Sequence, residues 1–169
     1  MKDNAKRLDA VYREQRTAVY HTALALLKDA AAAEDVMQEV FLSYYRELEQ
    51  GHSVRHLRAW LLTATRHRCY NALRDGRREE PMEALPEEMG AFDPMADVQQ
   101  QDVVERVLGC LSTQERLAFS LHYLDGYTYR EIAEGLQLPM GTVQTRCRLA
   151  RKKCRAALQK LNEREEGSV

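Results

Sequence analysis

The chain has 169 residues and a mass of 19.5 kDa, enough for one ordinary domain or two very small ones. With 44% apolar and 30% charged residues it is a packed protein rather than a disordered one, and no apolar run approaches the roughly 20 residues that cross a bilayer. The start, MKDNAKRLDAVYREQ, carries no secretory apolar stretch, so a cytoplasmic chain without membrane insertion is expected.

Along the chain, the first helix is predicted from Leu8, Val11, Tyr12, Val19, Ala23, Leu26 and Leu27, which recur at helical spacing. A second follows from Val36, Met37, Val40, Phe41, Tyr44 and Leu48, and Gly51 ends it. A third begins near His56, with Leu57, Trp60, Leu61 and Ala64 on one face, so Trp60 is read as core. Then the composition shifts. Pro81, Pro86, Gly90 and Pro94 break any helical pattern within a run of acids, which makes that stretch a linker. Beyond it, Ser112 with Glu115 and Thr128 with Glu131 fit the S/T-x-x-E capping pattern, and each marks a helix start. Asp125-Gly126 supplies a turn between those helices. The last elements are a short helix near 129–136, a tight connection at 137–139 and a long basic helix near 140–161, the outline of a helix-turn-helix. No segment alternates with period two. The expected fold is therefore all-α: two small helical domains, 1–78 and 98–169, joined by the acidic linker 79–97.

The net charge of −1 conceals a sorted distribution. Between Arg55 and Arg78 the sole acid is Asp75, from Glu79 to Glu105 there is no Lys or Arg, and from Gly135 to Asn162 there is no acid. Two basic blocks separated by an acidic one predict two surfaces for a polyanion, held apart by a segment that repels it. On the last helix Val143, Cys147, Ala150, Cys154, Leu158 and Leu161 fall on one stripe, so both cysteines are read as small core residues. The opposite face carries Thr145, Arg148, Leu149, Lys152 and Arg155, flanked by Gln144 and Arg151. One apolar side for its own domain and one basic, hydrogen-bonding side suit the DNA major groove. There Gln144, Thr145 and Arg148 would read base edges, and Arg151, Lys152 and Arg155 would hold phosphates. Leu149 is placed to touch a thymine methyl group.

The four cysteines (Cys69, Cys110, Cys147, Cys154) form no CxxC pair, and reduced, buried thiols are expected with neither disulfide nor metal. The histidines His21, His52, His56, His67 and His122 form no HExxH or nucleophile–base pattern, and no glycine-rich phosphate loop occurs. The chain is expected not to be an enzyme, with no small-molecule substrate and no cofactor.

Several motifs together resemble bacterial RNA polymerase sigma factors of the extracytoplasmic-function type in the sigma-70 family. These are AEDVMQEVF at Ala33–Phe41, RAWLLTATRHRCYNALRDGRR at Arg58–Arg78, LSTQERLAFSLHYLDGYTYREIAEGL at Leu111–Leu136 and LPMGTVQTRCRLAR at Leu138–Arg151, in that order. The resemblance spans nearly the whole chain. It implies an initiation subunit whose partners are core polymerase, through the β′ clamp helices and the β subunit, promoter DNA, and an anti-sigma factor. Glu34, Asp35, Gln38 and Glu39 match the segment that binds the β′ clamp helices. Arg55, Arg58, Arg66, His67, Tyr70, Asn71 and Arg74 fall in the part that reads and melts the −10 element and captures a flipped base. The last helix corresponds to the reader of the −35 element. The chain departs from the common pattern at Ala32, His67, Asn71, Arg148 and Leu149. Set against this reading is a stand-alone, dimeric helix-turn-helix regulator that binds a palindrome without polymerase.

Overall fold

The computed structural model describes residues 1–76 and 98–168, without the side chains of 98–102; the expected linker 79–97 lies outside the described residues. Seven α-helices carry the fold, and no strand occurs among the described residues. They are α1 (Lys2–Leu27), α2 (Ala30–Glu49), α3 (Leu57–Gly76), α4 (Val98–Leu108), α5 (Thr113–Phe119), α6 (Tyr129–Leu136) and α7 (Met140–Glu166).

The N-terminal unit is a three-helix cluster. Lys28 adopts left-handed backbone (φ 55°) to close α1, and the Asp29 carboxylate accepts the Ala32 amide at 2.9 Å to open α2, so the chain reverses in two residues. Asn4 Nδ2 donates to the Leu48 carbonyl at 3.2 Å, fixing the start of α1 against the end of α2. Gly51 turns the chain out of α2 at φ 74°, as its position in the sequence predicts. Val19, Ala23, Val36, Val40, Phe41 and Leu61 form the core, with Tyr12 edge-on to Phe41 at 4.9 Å. Trp60 is half-buried against this core rather than inside it.

The C-terminal unit is set by its caps. Both predicted capping boxes are closed. Ser112 and Thr128 accept the amides of Glu115 and Glu131 at 3.2 and 3.1 Å, while the glutamates accept the cap amides at 3.1 and 2.9 Å. Helix α5 does not stop at the Asp125-Gly126 turn directly. It widens into a π-helical turn over Ser120–Leu124, in which the Asp125 amide reaches back five residues to Ser120 at 3.0 Å, before Gly126 reverses the chain at φ 74°. Between α6 and α7 the left-handed position is taken by Gln137 (φ 53°), and Pro139 opens α7, which runs five residues beyond the predicted end.

Helix α4 was not foreseen from the sequence. It packs across the far end of α7, where Val107, Leu108 and Cys154 form a small cluster with Leu111, Phe119, Ala157 and Leu161. Glu105 pairs with the nearly buried Arg116 at 3.3 Å, and Lys153 of α7 pairs with Glu115 at 2.8 Å. Burial alone would raise the Glu115 carboxyl, but the Lys153 ammonium and the Ser112 amide outweigh it and hold the group below the usual carboxylate range.

The two units dock on each other, whereas the charge pattern predicts surfaces held apart. Ala18 and Ala25 of α1 and Leu62 of α3 share one buried cluster with Leu117, Leu121, Tyr127, Ile132 and Leu136. Leu61 and Leu62 are both fully buried, yet they belong to different cores. Gly135 permits the approach. A Cβ at that position would overlap the Leu62 side chain and stand 2.9 Å from its Cδ1.

Candidate nucleic-acid interface

Helix α7 divides as its sequence predicts along most of its length. Val143, Cys147, Ala150 and Cys154 are buried, Leu161 is half-buried against α4, and Leu158 is the exception at 44% exposed. Ala157 and Leu161 on either side of it, rather than Leu158, turn toward the cluster with Val107, Leu108 and Phe119. Gln144, Thr145, Arg148, Leu149, Arg151, Lys152 and Arg155 are all exposed. Arg148, Arg151, Lys152 and Arg155 also line a shallow groove of about 580 Å³ with Ala156 and Gln159. Among the described residues none of these seven has an ion-pair or side-chain hydrogen-bond partner, so a basic strip lies open along the helix. The α6–α7 junction sets its direction, because the Leu138 amide bonds the Ala133 carbonyl at 3.0 Å and the Val143 amide bonds Pro139 at 3.2 Å.

The arginine-rich helix α3 is different, because its residues face three ways. Trp60, Thr63, His67 and Asn71 follow one another at spacings of three and four, and with Ser43 and Arg68 they line a groove of about 350 Å³ between α2 and α3. The groove has an aromatic wall, a hydroxyl, an amide and a cation, the groups that suit an unstacked base. Of the seven residues predicted for the −10 element, it brings together His67 and Asn71. Arg55 lies in a neighbouring groove of about 470 Å³ with Trp60, and Arg74 is exposed at the helix end beside Asp75. Tyr70 is 37% exposed, with the Arg66 guanidinium 5.7 Å from its ring centre.

Arg58 and Arg66 point elsewhere. With Leu62 they form a stripe at spacing four that meets the C-terminal unit. Arg58 Nη1 donates to the Gly126 carbonyl at 2.7 Å, its Nη2 lies 3.4 Å from Glu14, and its guanidinium sits 5.1 Å from the Tyr127 ring centre. Arg66, 9% exposed, donates from Nε to the Gly135 carbonyl at 3.4 Å. In this arrangement the two are packed residues, not open cations. Sequence reasoning missed Ser43, Thr63 and Arg68 as groove residues, although the three-and-four spacing from Trp60 carried the signal for Thr63. Arg68 is held in place by Ser43 and by Glu39 at 3.2 Å.

On α2, Glu34, Asp35, Gln38 and Glu39 are all exposed, beside the buried Val36, Met37 and Val40. They form a polar strip backed by core. Three thiols are buried as expected. Burial pushes Cys69 up to about 12 and Cys147 up to about 11, which makes them poor nucleophiles. Cys110 corrects the expectation of buried thiols, for it is exposed just beyond α4. Among the described residues, no group of three or more His, Cys, Asp and Glu side chains could hold a metal ion, and no helix is long and apolar enough to cross a membrane.

A helix-turn-helix with an open basic reading face, preceded by a second helical unit with a base-sized groove, defines a DNA-binding protein of two modules. Comparison with known proteins agrees. Residues 11–79 match the sigma-70 region 2 family and residues 101–154 match sigma-70, region 4. The chain is 30% identical over 169 residues to the ECF RNA polymerase sigma factor SigL of Mycobacterium tuberculosis (strain ATCC 25618 / H37Rv), covering 93% of this chain and 92% of that protein. It is 30% identical over 156 residues to the ECF RNA polymerase sigma factor SigK of Mycolicibacterium vanbaalenii, covering 86% and 78%. Its fold resembles that of the sigma factor RpoE, solved in complex with the anti-sigma factor NepR from Bartonella quintana. The TM-score there is 0.63 at 23% identity, over 94% of this chain and 98% of that one. The chain belongs to the sigma-70 family, as a sigma factor of the extracytoplasmic-function type. It binds RNA polymerase and directs promoter-specific transcription, a regulatory DNA-binding role. Two sigma regions in order do not favour a stand-alone helix-turn-helix regulator.

Proposed function

We propose that this sigma factor divides its work among three surfaces, with units at 1–78 and 98–169. The outer face of α7 reads the −35 element: Gln144, Thr145, Arg148 and Leu149 meet base edges, and Arg151, Lys152 and Arg155 hold phosphates. Arg55, Arg58, Arg66, His67, Tyr70, Asn71 and Arg74 engage the −10 element and its melted strand, with the Trp60 groove as the pocket for an unstacked base. Glu34, Asp35, Gln38 and Glu39 contact the β′ clamp helices of core polymerase. An anti-sigma factor is a partner, the site of action is cytoplasmic, and no reaction is catalysed by the chain itself.

The observation that carries this reading is the division of α7, with four buried small residues on one side and seven exposed readers on the other. The test is in vitro transcription from a pool of promoter fragments by core polymerase, with and without this protein, followed by mapping of start sites. Starts that depend on the protein and share two upstream motifs support the assignment. Protein-independent starts, together with tight unaided binding to a palindrome, would overturn it.

A further inference from the structure

We propose that Arg68 is shared between the base groove and the polymerase strip, so that capture of Glu39 by polymerase strengthens the hold of the groove on a DNA strand. The inference rests on the proposed assignments of Glu39 to the β′ clamp helices and of the Trp60 groove to an unstacked base.

The first argument is position. Glu39 and Ser43 stand four apart on α2 and so share a face of that helix. Arg68 reaches from α3 to both, donating from Nη1 to the Glu39 carboxylate at 3.2 Å and from Nη2 to the Ser43 hydroxyl. Ser43 and Arg68 line the groove together with Trp60, Thr63, His67 and Asn71. One guanidinium thus joins two surfaces that are assigned to different partners. Exchange between them is open, because neither member of the pair is anchored in a core: the Glu39 side chain is 58% exposed and that of Arg68 32%. An ion pair this solvated contributes a small factor, so a second cation at Glu39 is enough to shift it.

The second argument is charge. Among the residues that line the groove, Arg68 alone is a permanent cation. In the free chain that cation faces a carboxylate, which cancels part of its attraction for a phosphate. On the strip, Glu34, Asp35 and Glu39 are three acids, a pattern complementary to a cationic partner surface. Among the described residues Glu34, Asp35 and Gln38 have no side-chain partner, whereas Glu39 is paired with Arg68. A polymerase cation brought against Glu39 satisfies the carboxylate and repels Arg68, which leaves the guanidinium to the groove. The coupling is reciprocal: a strand that draws Arg68 away leaves Glu39 open to polymerase, by the same factor.

Glu39→Gln and Arg68→Gln, singly and together, form the cycle that tests the coupling. Binding of the full-length chain to a labelled single-stranded oligonucleotide of the mapped −10 motif is measured at low salt, without polymerase and with core polymerase at saturation. Without polymerase, Glu39→Gln should tighten binding by about twofold to fivefold, and Arg68→Gln should weaken it by at least as much. The double variant should match Arg68→Gln alone. A carboxylate that acts through Arg68 has nothing to act on once Arg68 is gone, whereas a general loss of negative charge would help in either background. With polymerase saturating, wild type and Glu39→Gln should bind the strand equally. A Glu39→Gln chain that binds no tighter than wild type, the same gain in the Arg68→Gln background, or an undiminished difference with polymerase bound would each overturn the coupling. The reading beneath it is tested separately by Asn71→Ala, which touches neither member of the pair. If that variant, bound to polymerase, holds the strand as tightly as wild type, the groove assignment falls and the coupling falls with it.

Discussion

Helices α3 and α7 are both rich in arginine, and they use it in opposite ways. On α7 the apolar residues recur at a regular spacing, one side is spent on the core, and the other keeps its cations open. On α3 the apolar and basic residues are spread around the axis, because the helix is a wall shared by two cores and a groove. The difference teaches that an arginine-rich helix is a reading surface where its apolar residues form a single stripe. Where they form two, some of its arginines are committed to packing.

The strongest way to test that contrast is to cut the two walls of α3 separately. Leu61→Ala should cost about 2–5 kcal/mol of N-terminal stability by chemical denaturation, the usual range for a fully buried leucine. Leu62→Ala should instead expand the chain in scattering while sparing most of that stability. Equal loss from both, with no expansion, would mean that α3 has one core and not two.

On α7, Arg148→Ala should lose about 1–3 kcal/mol of discrimination at one −35 position. Lys152→Ala should weaken binding on all sequences and lower the salt slope by about one. These are read by promoter-binding titrations across ionic strength, and uniform losses from both would remove Arg148 from the base readers.

A smaller effect tests what fixes α7 to its unit. Glu115→Ala removes half a capping box and the Lys153 pair, for a loss of about 1–2 kcal/mol at pH 7. Because the folded carboxyl lies below its unfolded value, that stability is complete above the unfolded value of about 4.3 and fades as pH falls through the folded one. Denaturation from pH 7 to pH 3 should therefore bring wild type and variant together in acid. The smallest expected change is a gain. Gln137→Gly relieves a left-handed residue between α6 and α7 and should add roughly 0.5–1 kcal/mol in thermal melts without altering promoter choice.

Much of the fold was legible because its signals are local. Ser112 with Glu115 and Thr128 with Glu131 need three residues to declare a helix start, and the Val143–Cys147–Ala150–Cys154 stripe declares its own buried side. Helix α4 carries the same kind of signal in Val103, Val104, Val107 and Leu108, but it adjoins an acidic, proline-bearing run whose composition argues against a helix. The docking left a fainter trace. Nothing near Gly135 in the sequence names Leu62 as its neighbour, and Arg58 and Arg66 carry the same charge as Arg55 and Arg74. What distinguishes them is their spacing of four about Leu62, a pattern that gains meaning once a partner surface is known.

The double-faced α3 also bears on synthesis. The N-terminal core can close as soon as α3 has emerged, yet Leu136, the last part of α6 that covers Leu62, is made roughly 60 residues after Gly76. At 5–20 residues per second, Ala18, Ala25 and Leu62 stay uncovered for about 3–12 s on the ribosome. During that interval the nascent chain presents an apolar strip beside Arg58 and Arg66, which exposes it to chaperones and to premature association before its own C-terminal half can cover it.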